Sequence, residues 1–363
     1  MHKPPPIRRA GMTLVELLVV VAIIGLLAVT VLPNVASTTE NRRSREAARV
    51  TSSFFAKAQS RAIGRPEWAG VTIVPTNESV LYSIDLFQAN VPQVYRGESY
   101  TATATLSGAS WTRSVSYSDM AIPLARSVKK FDLIRFDGRG PWYELTADGG
   151  TGVQFRGTPG GFVVANELSG QTERNTPWPT MDTPHAFEIL RQPVRNGSAF
   201  TISDGRCIDL AWSGFGSPTD FKYLGGEDVN RNGVLDTNED RNGNGKLDLL
   251  PFAPVTLLFD ATGRARQIVK AAERLTVTGP IYFLVGRVDR ANNDPTLPST
   301  YKESDDTTGF NWQYGDSYWI VIDPASGIVK TAECLPVKTY ANLAAGLLLS
   351  QQFARTETPT GGK

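Results

Sequence analysis

Residues 8–33 read Arg-Arg-Ala-Gly-Met-Thr-Leu-Val-Glu-Leu-Leu-Val-Val-Val-Ala-Ile-Ile-Gly-Leu-Leu-Ala-Val-Thr-Val-Leu-Pro. From Met12 to Leu32 the run holds 21 residues, and Glu16 is its only charge. As a helix rising about 1.5 Å per residue it spans the roughly 30 Å hydrocarbon core of a bilayer. A carboxylate inside such a segment costs roughly 2.5–3.5 kcal/mol on insertion scales, so Glu16 is expected to have a partner. Lys3, Arg8 and Arg9 precede the run, and no acid occurs among residues 1–11. That bias leaves the N-terminus cytoplasmic and the rest of the chain outside. A secretory signal peptide has a shorter apolar core and a small residue after it. Here the core is longer, and the small residue, Gly11, comes before it.

The arrangement of a short basic leader ending in Gly11, then Met12-Thr-Leu-Val-Glu16, then an unbroken apolar helix resembles the type IV prepilin signature of type IV pilins and type II secretion pseudopilins. The resemblance implies a cut between Gly11 and Met12 by a prepilin peptidase, which also N-methylates the new Met12 amine. Met12 stands where Phe is usual. Glu16 matches the assembly carboxylate, which pairs with the free Met12 amine of a neighbouring subunit, and Pro33 falls where pilin helices kink. A plain single-span anchor is the alternative.

The chain has 363 residues, 41% apolar and 20% charged, with 23 Pro and 33 Gly, which suits a folded, loop-rich globular part. Losing residues 1–11 turns 37 basic against 36 acidic residues into 34 against 36. This balance asks for no nucleic-acid partner. Cys207 and Cys334 fall in the part placed outside the cytoplasmic membrane, where an oxidising compartment allows a disulfide between them. Two free buried thiols are the alternative.

Beyond Pro33 the helix is expected to continue. Ala47, Val50, Phe54, Ala58 and Ala62 recur at spacings of three or four, while Arg42, Arg43, Arg45, Glu46, Arg49 and Lys57 take the other faces. Gly64-Arg65-Pro66 is a stop signal. Thereafter residues 68–74, 79–85, 99–106, 131–136, 161–164, 199–202, 255–259, 276–285 and 318–322 read as strands. Three of them run into similar turns, Phe136-Asp-Gly-Arg-Gly140, Phe259-Asp-Ala-Thr-Gly-Arg264 and Ile322-Asp-Pro-Ala-Ser-Gly327. Asp followed closely by Gly is ordinary hairpin chemistry. The helix, the Gly-Val-Thr-Ile strand and the Phe-Asp-x-x-Gly-Arg turn look like pseudopilin H and its fimbrial T-like relatives. The expected fold is α+β, a long N-terminal transmembrane and amphipathic helix packed on a β-rich pilin-like head. Its parts are a leader (1–11), a transmembrane helix (12–33), an amphipathic periplasmic helix (34–64), a head (65–354) and a loose tail (355–363). Within the head, residues 340–353 look like a short helix packed on it, too short to span a membrane.

Residues 225–248 contain a repeat of period 12: Asp228, Asn230, Asn232, Gly233, Leu235 and Asp236 recur as Asp240, Asn242, Asn244, Gly245, Leu247 and Asp248. The first copy satisfies the EF-hand loop pattern from Asp228 to Glu239. Calcium takes six to eight oxygens. Asp228, Asn230, Asn232 and Asp236 can supply side-chain oxygens, Val234 a carbonyl, and Glu239 both carboxylate oxygens. The second copy offers Asp240, Asn242, Asn244, the Lys246 carbonyl and Asp248, but Pro251 stands at its twelfth place. The segment resembles the calcium loops of dockerins and thrombospondin repeats. A solvated polar loop is the alternative.

No nucleophile triad, zinc-type cluster or phosphate loop is visible, so no enzyme is expected. His185, the sole His after residue 11, reads as a strand or turn residue. The expected function is a minor pseudopilin or pilin-like subunit anchored once in the bacterial inner membrane, with its head in the periplasm or outside the cell. Its implied partners are the prepilin peptidase/N-methyltransferase, other pseudopilins or pilins and the inner-membrane assembly platform. The rivals are a fimbrial T-like DNA-uptake pilin, for which the Arg42–Arg49 cluster is the best candidate, and a pilin-anchored adhesin or carbohydrate-binding head. A membrane-proximal helix face explains the Arg cluster equally well.

Overall fold

The computed structural model describes residues 14–356 apart from 77–79, 109–111, 120–126, 156–161, 166–171, 176–177, 216–220, 222–223, 225, 227–233, 237–246, 248–249, 251, 292–308 and 338–342; for residues 27–38, 162–165, 172–175 and 343 it describes the backbone alone. The chain opens with helix α1 (Leu14–Ala62), followed by β1 (Ala69–Val74), β2 (Tyr82–Ser83), β3 (Asp85–Asn90), β4 (Thr103–Ser107) and β5 (Thr112–Ser118). Next come β6 (Leu133–Phe136), β7 (Tyr143–Leu145), β8 (Gly152–Phe155), β9 (Phe162–Ala165), β10 (Thr172–Asn175), β11 (Pro184–His185) and β12 (Phe187–Leu190). Then follow β13 (Val194–Thr201), β14 (Arg206–Gly214), β15 (Val255–Phe259), β16 (Ala265–Lys270), β17 (Glu273–Thr276), β18 (Ile281–Arg287), β19 (Tyr318–Ile322), β20 (Val329–Glu333) and helix α2 (Leu343–Thr356). The class is α+β, with the head rich in antiparallel strands.

α1 has 49 residues and is about 74 Å long. Its backbone runs through Pro33, which has no N–H to give the Val29 carbonyl. It stops where the sequence says it should: Gly64 adopts φ +74° and donates its amide to the Ala261 carbonyl at 3.0 Å. The buried row is Ser44, Ala48, Thr51, Phe55, Ala58 and Ala62. The expected stripe is right at Ala58 and Ala62, but Ala47, Val50 and Phe54 are only half-buried. The true row lies one residue further on because it is small except at Phe55. It lets the helix lie close on the sheets while Phe55 stacks on Phe283 at 5.0 Å.

Two sheets receive that row. The first has order β13-β3-β1-β15-β16-β17, the second β2-β14-β18-β19-β20. α1 touches β1 and β15 of the first and β14, β18, β19 and β20 of the second, and all share one apolar core. α2 closes that core with Leu347 and Ala354, and Ser350 accepts the Trp319 indole N–H at 3.0 Å. The longest and most buried strand, β14, is absent from the sequence reading, because Arg206, Asp209 and Ser213 interrupt its apolar pattern. β15 and β19 fall where expected.

The head is not one unit. β3 and β13 are neighbours in the first sheet, so residues 91–193 form an insertion between two paired strands. The insertion holds the seven-element sheet β11-β4-β5-β8-β7-β6-β12 and its own apolar core. Its two outer elements, β11 and β12, are separated only by Ala186 and form one kinked strand. β11 pairs with β4 and β12 with β6, so the sheet closes into a six-stranded barrel. Alternate residues point inward, among them Ala104 and Leu106, Ile134 and Phe136, Tyr143 and Leu145, Val153 and Phe155, Phe187 and Ile189.

Candidate functional site

The N-terminal motif is the first candidate. Gly11 and Met12 lie outside the described residues. Glu16 sits in the first turn of α1 and is exposed. Around it Leu14, Leu17, Leu18, Val21, Ile24 and Leu26 are 56–79% exposed, on every side of the helix. An all-round apolar helix belongs in a lipid or protein interior. Among the described residues no helix is long and apolar enough to cross a membrane; described apolar side chains cover residues 14–26, about 20 Å of helix.

The second half of α1 is fixed to the head by polar contacts that sequence reasoning did not find. Arg206, 2% exposed, donates to the Glu40 carboxylate at 2.5 Å and to the Glu40 carbonyl at 3.0 Å. The Arg206 bond is the main reason the Glu40 carboxyl lies below its usual range. Tyr318 donates its hydroxyl to Asn41 at 2.7 Å, and Gln88 donates to the Phe54 carbonyl at 3.2 Å. At the far end Gln59 donates to the carbonyls of Gly263 and Ser326 at 3.0 and 3.1 Å. These belong to two of the three similar turns. Gly263 and Gly327 adopt φ +81° and +69°, and a Cβ on Gly327 would fall 1.8 Å from the Gly263 carbonyl oxygen. The first of the two turns is held by Asp260, which accepts from the Thr262 and Arg264 amides and from Arg266. Burial opposes ionisation there, yet bonds from Thr262 and Arg266 pull Asp260 down to about 2. The motif repetition in the sequence was the available signal for this helix-end clasp.

The cysteines correct an expectation. Both are free and buried. Cys207 on β14 faces Gly286 on β18, and Cys334, just past β20, donates its amide to Ser317 beside β19. They therefore sit in one cross-strand row three strand spacings apart, about 14 Å, where a disulfide needs Cα atoms within about 7 Å. Burial pushes the Cys334 thiol up to about 12 and raises Cys207 well above its usual range.

Of the calcium candidates, Asp228, Asn230, Asn232, Glu239, Asp240, Asn242, Asn244, Lys246 and Asp248 lie outside the described residues. Val234 and Asp236 are described and exposed. Among the described residues no group of three His, Cys, Asp or Glu gathers as for a metal.

Among the described residues, Asp209 and Lys270 are the titratable side chains at 0% exposure in the double-sheet part apart from Cys207. Asp209 is fully buried, and burial pushes it up to about 7 against the pull of Asn311, which donates to its Oδ2 at 2.8 Å, and of the Ala211 and Trp212 amides. Lys270, lowered to about 7 by burial, donates to the Phe221 carbonyl. His185 lies on β11, as expected of a strand residue, with Nδ1 2.8 Å from Asp137 and Nε2 2.8 Å from the Thr180 carbonyl.

No curated protein and no solved structure matches this chain. Residues 7–32 match the family model of the prokaryotic N-terminal methylation motif. That match supports a precursor of type IV pilin or pseudopilin type, processed by prepilin peptidase and assembled with other pilins.

Proposed function

We propose that this chain is a minor pseudopilin or pilin-like structural subunit, anchored by one inner-membrane span over residues 12–33 with its head in the periplasm or beyond. The peptidase cuts after Gly11 and methylates Met12. The subunit then leaves the membrane for a filament as its exposed apolar helix exchanges lipid for the helices of neighbours. Glu16 stays in that apolar environment only when paired, and the Met12 amine of the next subunit is the matching cation. The observation that carries this reading is the match over residues 7–32 on a helix whose apolar first part is exposed all round. The dock from Glu40 to Gly64 supports it, since it makes helix and head one lever.

The segment 226–250, which holds the repeat, is proposed as a calcium loop. Its donors are hard carboxylate, amide and carbonyl oxygens, which calcium prefers. The ion would order a segment poor in apolar side chains.

N-terminal sequencing of the protein from membranes is expected to begin at methylated Met12, and Gly11→Glu to leave the longer, uncut chain. Glu16→Ala is expected to insert normally but to lose co-purification with partner pilins. Any other N-terminus, or full assembly of Glu16→Ala, overturns the reading.

A further inference from the structure

The mouth of the barrel inserted between β3 and β13 is built differently from the two turns that clasp α1. The third similar turn, between β6 and β7, sits where the β11–β12 strand kinks at Ala186. There Asp137, at φ +51°, donates its amide to the Ala186 carbonyl at 2.7 Å. A cavity of about 250 Å³ opens at this point. Ligand sites favour barrel mouths, and this volume, below the 300–1,000 Å³ of drug-sized pockets, suits a single small ring. Tyr143 and Trp178, stacked at 4.5 Å, line it, and the Arg113 guanidinium covers the Trp178 ring at 4.8 Å.

The polar rim has a defined chemistry. His185 donates from Nδ1 to Asp137 Oδ2 at 2.8 Å, and its Nε2 lies 3.0 Å from the Thr183 hydroxyl, which can donate to it, so the ring orients the carboxylate and ties the Thr180–Thr183 side of the mouth to the turn. Asp137 is exposed and lines the opening. Arg139, exposed on the same rim, has no ion-pair partner among the described residues. One carboxylate and one guanidinium thus lie on the rim beside the aromatic pair. An anion would meet the carboxylate and a cation the guanidinium. A neutral polyol satisfies both, with hydroxyls donating to Asp137 and accepting from Arg139.

We infer that the mouth of the inserted barrel is a binding site for a single neutral sugar ring, with Asp137 and Arg139 as its polar contacts and His185 as a positioning residue. The site goes beyond the filament role and stands or falls separately from it. The test is ligand-observed NMR and calorimetry on the detergent-solubilised full chain, with the methyl glycosides of mannose, galactose and glucose as probes and acetate and propylammonium as charged controls. At least one glycoside is expected to bind saturably. Asp137→Asn and Arg139→Gln are each expected to weaken it about tenfold, the loss of one charged hydrogen bond. Asn tolerates the left-handed backbone at position 137, and Arg139 is exposed, so both variants should keep the wild-type melting temperature. No saturable binding of any glycoside, affinity unchanged in both variants, or tighter binding of a charged control overturns the proposal.

Discussion

Asp209→Asn is expected to make the head more stable in mild alkali and to leave it unimproved in acid. Asp209 on β14 is fully buried, and burial outweighs the hydrogen bonds from Asn311 and from the Ala211 and Trp212 amides to hold its carboxyl at about 7 instead of 3.8. The folded state therefore binds this proton more tightly than the unfolded chain does. Stability from this group is complete below about pH 4, falls as pH rises, and is lost above about pH 7. A rise of that size corresponds to about 4 kcal/mol of penalty on the ionised form. Asn keeps the shape and the oxygen that accepts from Asn311. Its amide N–H groups replace Oδ1 and cannot accept from the Ala211 and Trp212 amides, which leaves a cost of about 1–3 kcal/mol. The balance is a gain of about 1–3 kcal/mol at pH 8, or roughly 2–6 °C in melting temperature, shrinking to nothing or reversing near pH 4. Thermal melting of both proteins from pH 4 to 8 in one detergent reads the difference. Parallel curves, with the same gap at both ends, would refute the reasoning.

Phe55→Ala removes a buried ring stacked on Phe283 and should cost about 3–5 kcal/mol, read by chemical unfolding; a loss below about 1 kcal/mol would mean that the helix is not docked through this row. Thiol titration of the unfolded, unreduced chain should find both cysteines free, and a titre of zero would mean that the sheet order around β14 to β20 is wrong. The folded chain should melt higher in millimolar calcium than in chelator, by about 2.7 kcal/mol at a hundredfold excess over Kd. Glu239→Ala should abolish most of that gain, and Asn230→Ala less of it, because Glu239 offers two oxygens and a charge; equal melting in calcium and chelator removes the proposal.

Signals that act over a few neighbouring residues were legible in the sequence. The leader, Glu16 and the apolar run are written in consecutive residues, and residues 7–32 match a known motif. The end of α1 followed from Gly64 and Pro66, and β15 and β19 from short β-branched and aromatic runs between turns. Helical periodicity found the docking face of α1 only to within one residue. Which row is buried depends on the sheets it meets, and they favour a small row with one Phe. What separates Cys207 from Cys334 is a sheet order assembled from distant segments. The closed barrel exists because residues near 104 and 134 pair with two halves of one strand near 186. Three similar Asp-Gly turns were visible, but their sequences carry no mark that two clasp a helix end and the third opens a cavity. That difference arises from what packs against each turn, which the tertiary fold alone decides.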